Sequence, residues 1–324
     1  MADDTDWKIM ISFLDFEKPI AELEARIAEL RATADGSDLD IESEIDKLAK
    51  KSAGMLETTY AKLSPWQKTQ VARHPQRPHF VDYLRLIFTD FVALAGDRTY
   101  GEDAAIIGGL ATLDGRKVMV IGHEKGHDTA TRIKHNFGMA KPEGYRKAIR
   151  LMEMASKFGL PVVTLVDTAG AFPGVEAEER GQSEAIARST EACLALGVPM
   201  VAVIVGEGGS GGAVAIAAAN TVLMLEHSVY SVISPEGASS ILWRTPDKAA
   251  DAATAMKVTA QDLLGLKVID GIVPEPIGGA HRDPTATARA LADAVGRELD
   301  ALGRLSGADL IRQREERFLA IGSL

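Results

Sequence analysis

The sequence predicts an α/β fold built on a parallel sheet, with a helical hairpin before the sheet and further helices after it. Continuous apolar runs, "VVTLV" at 162–166 and "MVAVIV" at 200–205, alternate with helical segments. This alternation is typical of parallel strands that are covered by helices on both faces. Each run follows a Gly-x-Pro, and Pro161 and Pro199 are 38 residues apart. A repeat of this length indicates units stacked as successive turns of a spiral.

The N-terminal segment is predicted to form a helical hairpin. Apolar residues recur at helical spacing in two stretches, and the polar "DGSD" at 35–38 separates them. The two stripes consist of Ile20, Leu23, Ile27 and Leu30 in the first stretch and of Ile41, Ile45 and Leu48 in the second. Such a pair of amphipathic helices could cover a core or contact another subunit, and the sequence favours neither.

A β-hairpin and a long helix are predicted next. The apolar stretches on either side of Asp114-Gly115 form the hairpin, because this dipeptide suits the tight turn between two antiparallel strands. The helix begins near Pro142, which suits a first helical turn, and ends at Gly159, which suits a helix stop.

The rest of the chain continues the alternation of strands and helices. The predicted elements are a helix across 178–197, short strands in "TVLMLEH" and "YSVIS", a helix starting at "PEGASSILW", and two C-terminal helices. We therefore divide the chain into an N-terminal helical segment at 1–78, an α/β core at 79–284 and C-terminal helices at 285–324.

Composition and charge exclude several classes of protein. The net charge of −10 argues against nucleic acid or an anionic membrane as the main partner, and no apolar run is long enough to span a bilayer. The acidic N-terminus "MADDTDWK" is unlike a signal peptide. Cys193 is the only cysteine, so we expect neither a disulfide framework nor a cysteine-based zinc site in this chain. These features predict a cytoplasmic protein.

The glycine-rich stretch "VIVGEGGSGGAVAI" at 203–216 is the strongest candidate for a functional site. Five glycines cluster where a strand runs into a helix, namely Gly206, Gly208, Gly209, Gly211 and Gly212. In this arrangement backbone N–H groups can point at an anion. Close packing of the chain against itself is the simplest alternative, because glycine lets two segments of backbone approach each other.

Three ligand classes fit such a turn to different degrees. Gly206-x-Gly208-x-x-Gly211 fits a dinucleotide fingerprint, and Glu226 lies 20 residues further on, where the ribose ligand of an oxidoreductase belongs. However, that fingerprint normally lies in the first strand–helix–strand unit, and here several predicted strands precede it. A nucleotide-binding P-loop requires a lysine and a hydroxyl residue that the stretch lacks. A backbone oxyanion hole requires no charged side chain, and this interpretation is therefore favoured.

Two other groups of residues have less specific patterns. His123, His127 and His135 lack the regular helical spacing of a metal site, so no metal role is predicted for them. The stretch 123–150 carries seven Lys and Arg against three Asp and Glu. This excess fits either a solvated helix face or a surface that attracts phosphate groups or an acidic protein.

Eight motifs are spread along the chain from about residue 13 to the end, namely "FLDFEKPIAELE", "VARHPQRP", "LAGDRTYGED", "NFGMAKPEGYRKAIRLM", "AEERGQSEAIAR", "GEGGSGGA", "YSVISPEGASSILW" and "VPEPIGGAHRDP". Together, and in this order, they resemble the motifs of the α subunits of bacterial acetyl-CoA carboxylase carboxyltransferase. The resemblance implies a crotonase-like (ClpP/crotonase) spiral of ββα units, which agrees with the repeat described above. The first ten or so residues lie outside it and are interpreted as an extension.

The resemblance also implies a reaction and a set of partners. In this family an α2β2 assembly with a zinc-bearing β subunit transfers the carboxyl group of carboxybiotin to acetyl-CoA, which gives malonyl-CoA for fatty acid synthesis. The biotin is attached to a separate biotin carboxyl carrier protein, and ATP is used by the biotin carboxylase component. No metal and no covalently bound cofactor are expected in this chain. The alternatives are the dinucleotide-dependent oxidoreductase and a scaffold subunit whose partner does the chemistry.

Site residues are implied by the positions of the family motifs. The backbone N–H groups of Gly211 and Gly212 are expected to form an oxyanion hole for the charge that develops on biotin. The residues expected to shape the loop or to contact the substrate are Gly208, Gly209, Ala213, Gly170 and Phe172. No general base is expected in this chain, because the biotin nitrogen is expected to take the acetyl proton.

Overall fold

A computed structural model of the chain describes residues 12–33 and 39–322, and this part of the chain contains one eight-stranded sheet. The strands are β1 (Thr89–Ala93), β2 (Ile106–Leu113), β3 (Arg116–His123), β4 (Val162–Thr168), β5 (Met200–Gly209), β6 (Thr221–Leu225), β7 (Val229–Ser231) and β8 (Gly271–Val273). Their order across the sheet is β1-β2-β3-β4-β5-β6-β8, and β7 pairs with the end of β5. The pairs β1–β2 and β2–β3 are antiparallel, and every pair from β3–β4 onward is parallel.

The predicted hairpin and the predicted repeat are both confirmed. β2 and β3 pair along their whole length, and the turn between them consists of Asp114 and Gly115, with φ angles of 46° and 78°. Val162 of β4 lies opposite Met200 of β5, so the two repeated units are in register. The turns that follow these two strands therefore lie side by side at the carboxyl edge of the sheet, where α/β proteins commonly bind their ligands.

Four described helices precede the sheet. They are α1 (Lys18–Thr33), α2 (Leu39–Tyr60), α3 (Pro65–Ala72) and α4 (Phe80–Ile87). Ile20, Ile27 and Ile45 are buried, as the predicted stripes require, and the predicted helical hairpin is confirmed in its two helices. The predicted turn at 35–38 and the N-terminal extension lie outside the described residues.

The middle of the chain contains four more helices, one of which corrects a prediction. They are α5 (Thr129–Lys134), α6 (Pro142–Phe158), α7 (Val175–Glu179) and α8 (Gln182–Ala195). α6 begins at Pro142 and is capped by Gly159 in the left-handed conformation, as predicted. The single helix predicted across 178–197 is wrong, because Gly181 has a φ of 81° and a right-handed helix cannot continue through that conformation.

Six α-helices follow β5 in the part of the chain that the structure describes. They are α9 (Ser210–Val214), α10 (Pro235–Trp243), α11 (Ala249–Ala255), α12 (Ala260–Gly265), α13 (Pro284–Leu302) and α14 (Gly307–Ala320). α10, α13 and α14 match the predicted helices, whereas the short helices α11 and α12 have no counterpart in the prediction. No helix in the described part of the chain combines the length and the apolar character that crossing a bilayer requires. The division at 78 and 284 stays a prediction.

β5 illustrates how both faces of the sheet are buried. Met200, Ala202 and Ile204 lie in the core that includes residues of α6 and α8, whereas the alternate residues Val201, Val203 and Val205 lie in the core that includes residues of α4 and α13. Because each side chain of this strand meets a helix, the run is apolar throughout instead of alternating with polar residues. The rigid strand thereby fixes the position of the glycine-rich turn at its end.

Candidate active site

The candidate site lies where β4 and β5 end next to each other. Thr168, the last residue of β4, pairs with Gly208 of β5, after a local irregularity in the register. β5 leads directly into α9, and Ser210 at the start of this helix has a positive φ of 55°. Such a backbone conformation is uncommon for a residue other than glycine, and strained conformations of this kind are enriched at functional sites.

Four of the five clustered glycines are required by the packing of the chain against itself. A Cβ atom built on Gly206, Gly208, Gly209 or Gly212 would lie less than 3.0 Å from atoms of Asp167, Tyr230, Ala169 and Gly170, respectively. None of the five has a positive φ, so backbone conformation is not the reason for glycine. Close packing of the chain against itself, the simplest alternative for this stretch, therefore explains the glycines at these four positions.

Gly211 is the exception. A Cβ atom at this position would meet only the side chain of Ile186, at 3.3 Å, and the residue is partly exposed between the exposed Ser210 and Val214. As one of the first residues of α9, Gly211 has an N–H group without a carbonyl acceptor one turn earlier in the helix. The partial positive charge at a helix start adds to the attraction of this N–H group for an anion.

The structure brings most of the other predicted residues close to this turn. Gly170 has a φ of 149° and lies next to Ser210, and a Cβ atom on Gly170 would be 3.9 Å from the Ser210 Cβ. The N–H of Phe172 donates to the carbonyl of Ala140 at 3.0 Å, and the Phe172 ring lies 4.7 Å from the Lys141 ammonium. Ala213 is different, because its side chain is fully buried in the core and faces other protein atoms.

A partly buried charge network includes Glu207 of the glycine-rich stretch, and the sequence reasoning missed it. The Lys125 ammonium lies 2.7 Å from Asp167 Oδ1 and 3.3 Å from Glu207 Oε2. The Arg73 guanidinium contacts Glu207 Oε1 at 2.6 Å and Glu236 Oε1 at 2.5 Å. These residues come from five separate parts of the chain, so no spacing in the sequence marks them. The sequence contains only one related signal, which is an acidic residue near the end of β4 (Asp167) and another near the end of β5 (Glu207).

Glu207 stays ionised in this network although it is buried. Burial by itself raises the pKa of a carboxyl group, but Lys125 and Arg73 outweigh it and hold the pKa of Glu207 below its usual range. Burial likewise lowers the pKa of the Lys125 ammonium, and Asp167 and Glu207 reverse that effect and raise it above its usual range. Glu207 and Lys125 are therefore both charged at neutral pH. Four of its members line a cleft of about 270 Å³, namely Arg73, Lys125, Asp167 and Glu207.

The three predicted histidines do not come together. His123 is buried, and burial lowers its pKa to about 3, whereas His135 Nδ1 lies 2.6 Å from the carbonyl oxygen of Ala104. His127 is instead part of the one metal-type cluster among the described residues, with His79 and Glu124. Its ring stacks on that of His79 with centroids 4.3 Å apart and an interplanar angle of 20°. His79 Nδ1 lies 3.6 Å from Glu124 Oε1, and His127 Nε2 lies 3.2 Å from Asp82 Oδ2, so each ring has a carboxylate partner.

Several basic residues of the stretch 123–150 bind carboxylates or backbone carbonyls of the protein itself. Lys125 is part of the network above, and Lys147 is buried against Glu102 and the carbonyl of Asp103. Arg150 donates to the carbonyls of Leu94, Ala95 and Gly96. These three residues, Lys125, Lys147 and Arg150, therefore do not form a surface that attracts a charged ligand or partner.

Glu226 does not take the position of a ribose ligand. Its Oε2 accepts the N–H of Glu275 at 3.1 Å, and its backbone carbonyl accepts a bond from Lys68. The helix after the glycines has only five residues, which is too short for a dinucleotide-binding crossover. The oxidoreductase alternative is not supported.

Comparison with protein families identifies relatives over almost the whole chain. The family described as acetyl co-enzyme A carboxylase carboxyltransferase-like matches residues 13–322. A protein of Erythrobacter litoralis named acetyl-coenzyme A carboxylase carboxyl transferase subunit alpha is 72% identical over 313 residues, which are 97% of this chain and 100% of that protein. A Zymomonas mobilis protein of the same name is 66% identical over 314 residues, with 97% and 100% coverage.

Comparison with solved structures supports the fold. A Pseudomonas malonate decarboxylase hetero-tetramer in complex with coenzyme A matches with a TM-score of 0.58 and 18% identity, over 72% of this chain and 91% of that one. The transcarboxylase 12S core matches with a TM-score of 0.56 and 19% identity, and this chain spans 42% of the length of that one while 70% of this chain is covered. At this identity the likeness shows the fold alone, and the predicted crotonase-like α/β fold is confirmed.

Proposed function

The chain belongs to the acetyl-CoA carboxylase carboxyltransferase family, and from this membership we propose that its glycine-rich turn stabilises the biotin side of the carboxyl transfer. In the proposed reaction the carboxyl group of carboxybiotin passes to acetyl-CoA, and malonyl-CoA is formed. The observation that carries the proposal is the backbone of Gly211, which is partly exposed at the start of α9 beside Gly170.

The chemistry at this turn is electrostatic. Loss of the carboxyl group leaves negative charge on the ureido oxygen of biotin, and a fixed N–H donor stabilises that charge without having to reorganise. The N–H of Gly211 is the donor on the accessible side, and that of Gly212 is the second donor from the buried side of the same helical turn. Removal of one such donor in other enzymes costs about 3 kcal/mol of transition-state stabilisation.

The charge network supports the same assignment. Lys125 and Arg73 neutralise Glu207, whose neighbours Gly206 and Gly208 belong to the turn. The charge of this acidic side chain is therefore balanced and does not repel a developing anion. The other residues of the turn are small and uncharged.

The proposed assembly includes a partner that supplies the acyl-CoA side of the site. Relatives are named as alpha subunits, and we propose an α2β2 complex in the cytoplasm with a zinc-bearing β subunit, served by a biotin carboxyl carrier protein and an ATP-using biotin carboxylase. Exposed apolar side chains beside the candidate site support a protein contact. They are Val232 with 80% exposure, Ile241 with 71% and Leu242 with 67%, on or just before α10.

The test of the proposed function is a reverse transfer assay with malonyl-CoA and free biotin, in which acetyl-CoA is measured. We expect no turnover by the purified chain alone and robust turnover after the β subunit is added. Transfer by the isolated chain would overturn the need for a partner, and the lack of transfer by the assembled complex would overturn the proposed function.

A further inference from the structure

Lys125 is a buried cation between two acidic residues that belong to the two neighbouring strand ends. Its ammonium contacts Asp167 Oδ1, in the last part of β4, and Glu207 Oε2, in the last part of β5. The side chain of Lys125 is only 17% exposed, and those of Asp167 and Glu207 are 3% and 11% exposed. Because all three are largely removed from water, their charges interact strongly.

Asp167 links this cation directly to the backbone of the glycine-rich turn. The Asp167 Oδ1 atom that contacts Lys125 also accepts the N–H of Glu207 at 2.9 Å. The Asp167 carboxylate lies against the Cα of Gly206, where any side chain would displace it. The position of the Lys125 ammonium therefore affects the place at which β5 turns into α9.

Arg73 extends the link to a second side of the turn. It follows α3 and joins Glu207 to Glu236 in the first turn of α10. Glu207 is thus held by one cation from each side. Two kinds of contact therefore hold the turn in place. One is the pair of cations on Glu207, and the other is the packing of the turn glycines on residues 167–171.

A charge network of this kind is a poor source of stability. The loss of hydration of buried ions offsets most of their attraction, and apolar residues of the same size often give a more stable protein. The best-attested use of such groups is to fix one arrangement among several. In this protein the network would fix the position of the glycine-rich turn, which carries the proposed N–H donors.

We propose that Lys125 is a positioning residue for the carboxyl transfer, because it holds Asp167 and Glu207 so that the turn keeps its place beside Gly170. This inference rests on the proposed function, to which it adds a residue outside the glycine-rich turn. Small displacements of a donor are costly, since a shift of about 1 Å from a distant mutation can lower a rate by about a hundredfold.

The test compares Lys125→Met with Lys125→Arg in the complex with the β subunit. Lys125→Met keeps most of the length of the side chain and removes its charge, and we expect kcat to fall by at least tenfold with KM for malonyl-CoA changed less than threefold. Lys125→Arg keeps the charge, and we expect it to recover most of kcat. Lys117→Met is the matched control, because Lys117 lies on β3 before the same loop, is 67% exposed and contacts the exposed Asp90 and the hydroxyl of the buried Thr112.

The pH profile separates positioning from simple structural support. The groups that face Lys125 are Asp167 and Glu207, with Arg73, Glu236, Arg77 and the buried His123 around them. Burial raises the pKa of Glu207, and without the Lys125 ammonium Arg73 alone opposes this effect. The pKa of Glu207 is therefore higher in Lys125→Met than in the wild type. We therefore expect the ratio of the Lys125→Met rate to the wild-type rate to fall as the pH is lowered from 8 to 6, and the ratio for Lys117→Met to stay constant.

The outcomes distinguish the inference from the function on which it rests. A wild-type complex without transfer activity would overturn both. An active wild-type complex together with a Lys125→Met complex within twofold of its kcat would overturn the inference alone, as would a pH-independent ratio. If Lys125→Met does not assemble, Glu207→Gln keeps the shape of the side chain and removes the charge on which Lys125 acts. We expect that variant to lose at least fivefold in kcat, and full activity would overturn the inference.

Discussion

A Cβ atom on Gly212 would lie 2.7 Å from the carbonyl carbon of Gly170, so these two residues pack backbone against backbone. The glycine-rich turn and the segment after β4 are therefore two halves of one unit. Gly209 extends the same contact, because its Cα faces the backbone of Ala169. The unit presents the Gly211 backbone on its accessible side.

The first prediction concerns this contact. Gly212→Ala places a methyl group against the backbone of Gly170 and Ala171, and it is expected to destabilise the α chain by about 1–3 kcal/mol because backbone cannot move aside as a side chain can. Chemical denaturation of the purified chain measures this change.

Gly296→Ala is the control, because Gly296 lies in α13 with no atom within 4 Å of the added methyl group. Alanine is the better helix former, so this variant is expected to be neutral or up to about 1 kcal/mol more stable. Equal stability of the Gly212→Ala and wild-type chains would show that the turn is loosely packed.

The second prediction concerns the buried pair of Arg77 and Glu275. The Arg77 side chain is 1% exposed, and its Nη2 lies 2.6 Å from Glu275 Oε1. Arg77→Met leaves a buried carboxylate without its cation, and the chain is expected to lose about 3–5 kcal/mol of unfolding free energy at pH 7. Arg188→Met removes a side chain that is 66% exposed and is expected to change stability by less than about 0.5 kcal/mol.

The same pair predicts a pH dependence. Burial raises the pKa of a carboxyl group, but Arg77 outweighs it and lowers the pKa of Glu275 to about 2. A lowered pKa contributes stability above the unfolded pKa of about 4.3, and this contribution is lost as the pH falls toward 2. The difference between wild type and Arg77→Met should therefore shrink from pH 5 to pH 3 in urea titrations. A difference that grows on acidification would contradict this account of the pair.

The third prediction concerns Glu226. Its carboxylate supports the backbone N–H of Glu275, so Glu226→Gln keeps an acceptor oxygen and is expected to leave carboxyl transfer within threefold of wild type. We also expect neither NADH nor NADPH to be quenched by the wild-type complex. Loss of transfer in Glu226→Gln, together with quenching of either nucleotide, would favour the dinucleotide site instead.

The order of the elements could be predicted from the sequence wherever a local signal marks an element. Asp114-Gly115 marks a hairpin by its own turn preference, and Pro142 and Gly159 mark both ends of α6. The break between α7 and α8 was missed because Gly181 lies inside an otherwise helical pattern, and glycine is tolerated there unless the tertiary structure requires a positive φ.

The site was predictable only in part. Glycine at several neighbouring positions indicates a close approach, but it does not tell whether a ligand or the chain itself approaches, and for Gly212 it is the chain. The network of Lys125, Asp167 and Glu207 depends on three segments that meet only after the sheet has formed. No local pattern could show that Lys125 faces inward while its neighbours serve other contacts.

The most direct test of the central claim removes a single N–H group. Gly211→Pro eliminates the donor at a position whose N–H the helix does not use, whereas Gly211→Ala adds the same Cβ and keeps the donor. With assembly and thermal stability of both complexes verified, we predict that Gly211→Pro turns over about a hundredfold more slowly than Gly211→Ala in the malonyl-CoA and biotin assay. Equal turnover by the two assembled variants would contradict the role of this backbone donor in carboxyl transfer.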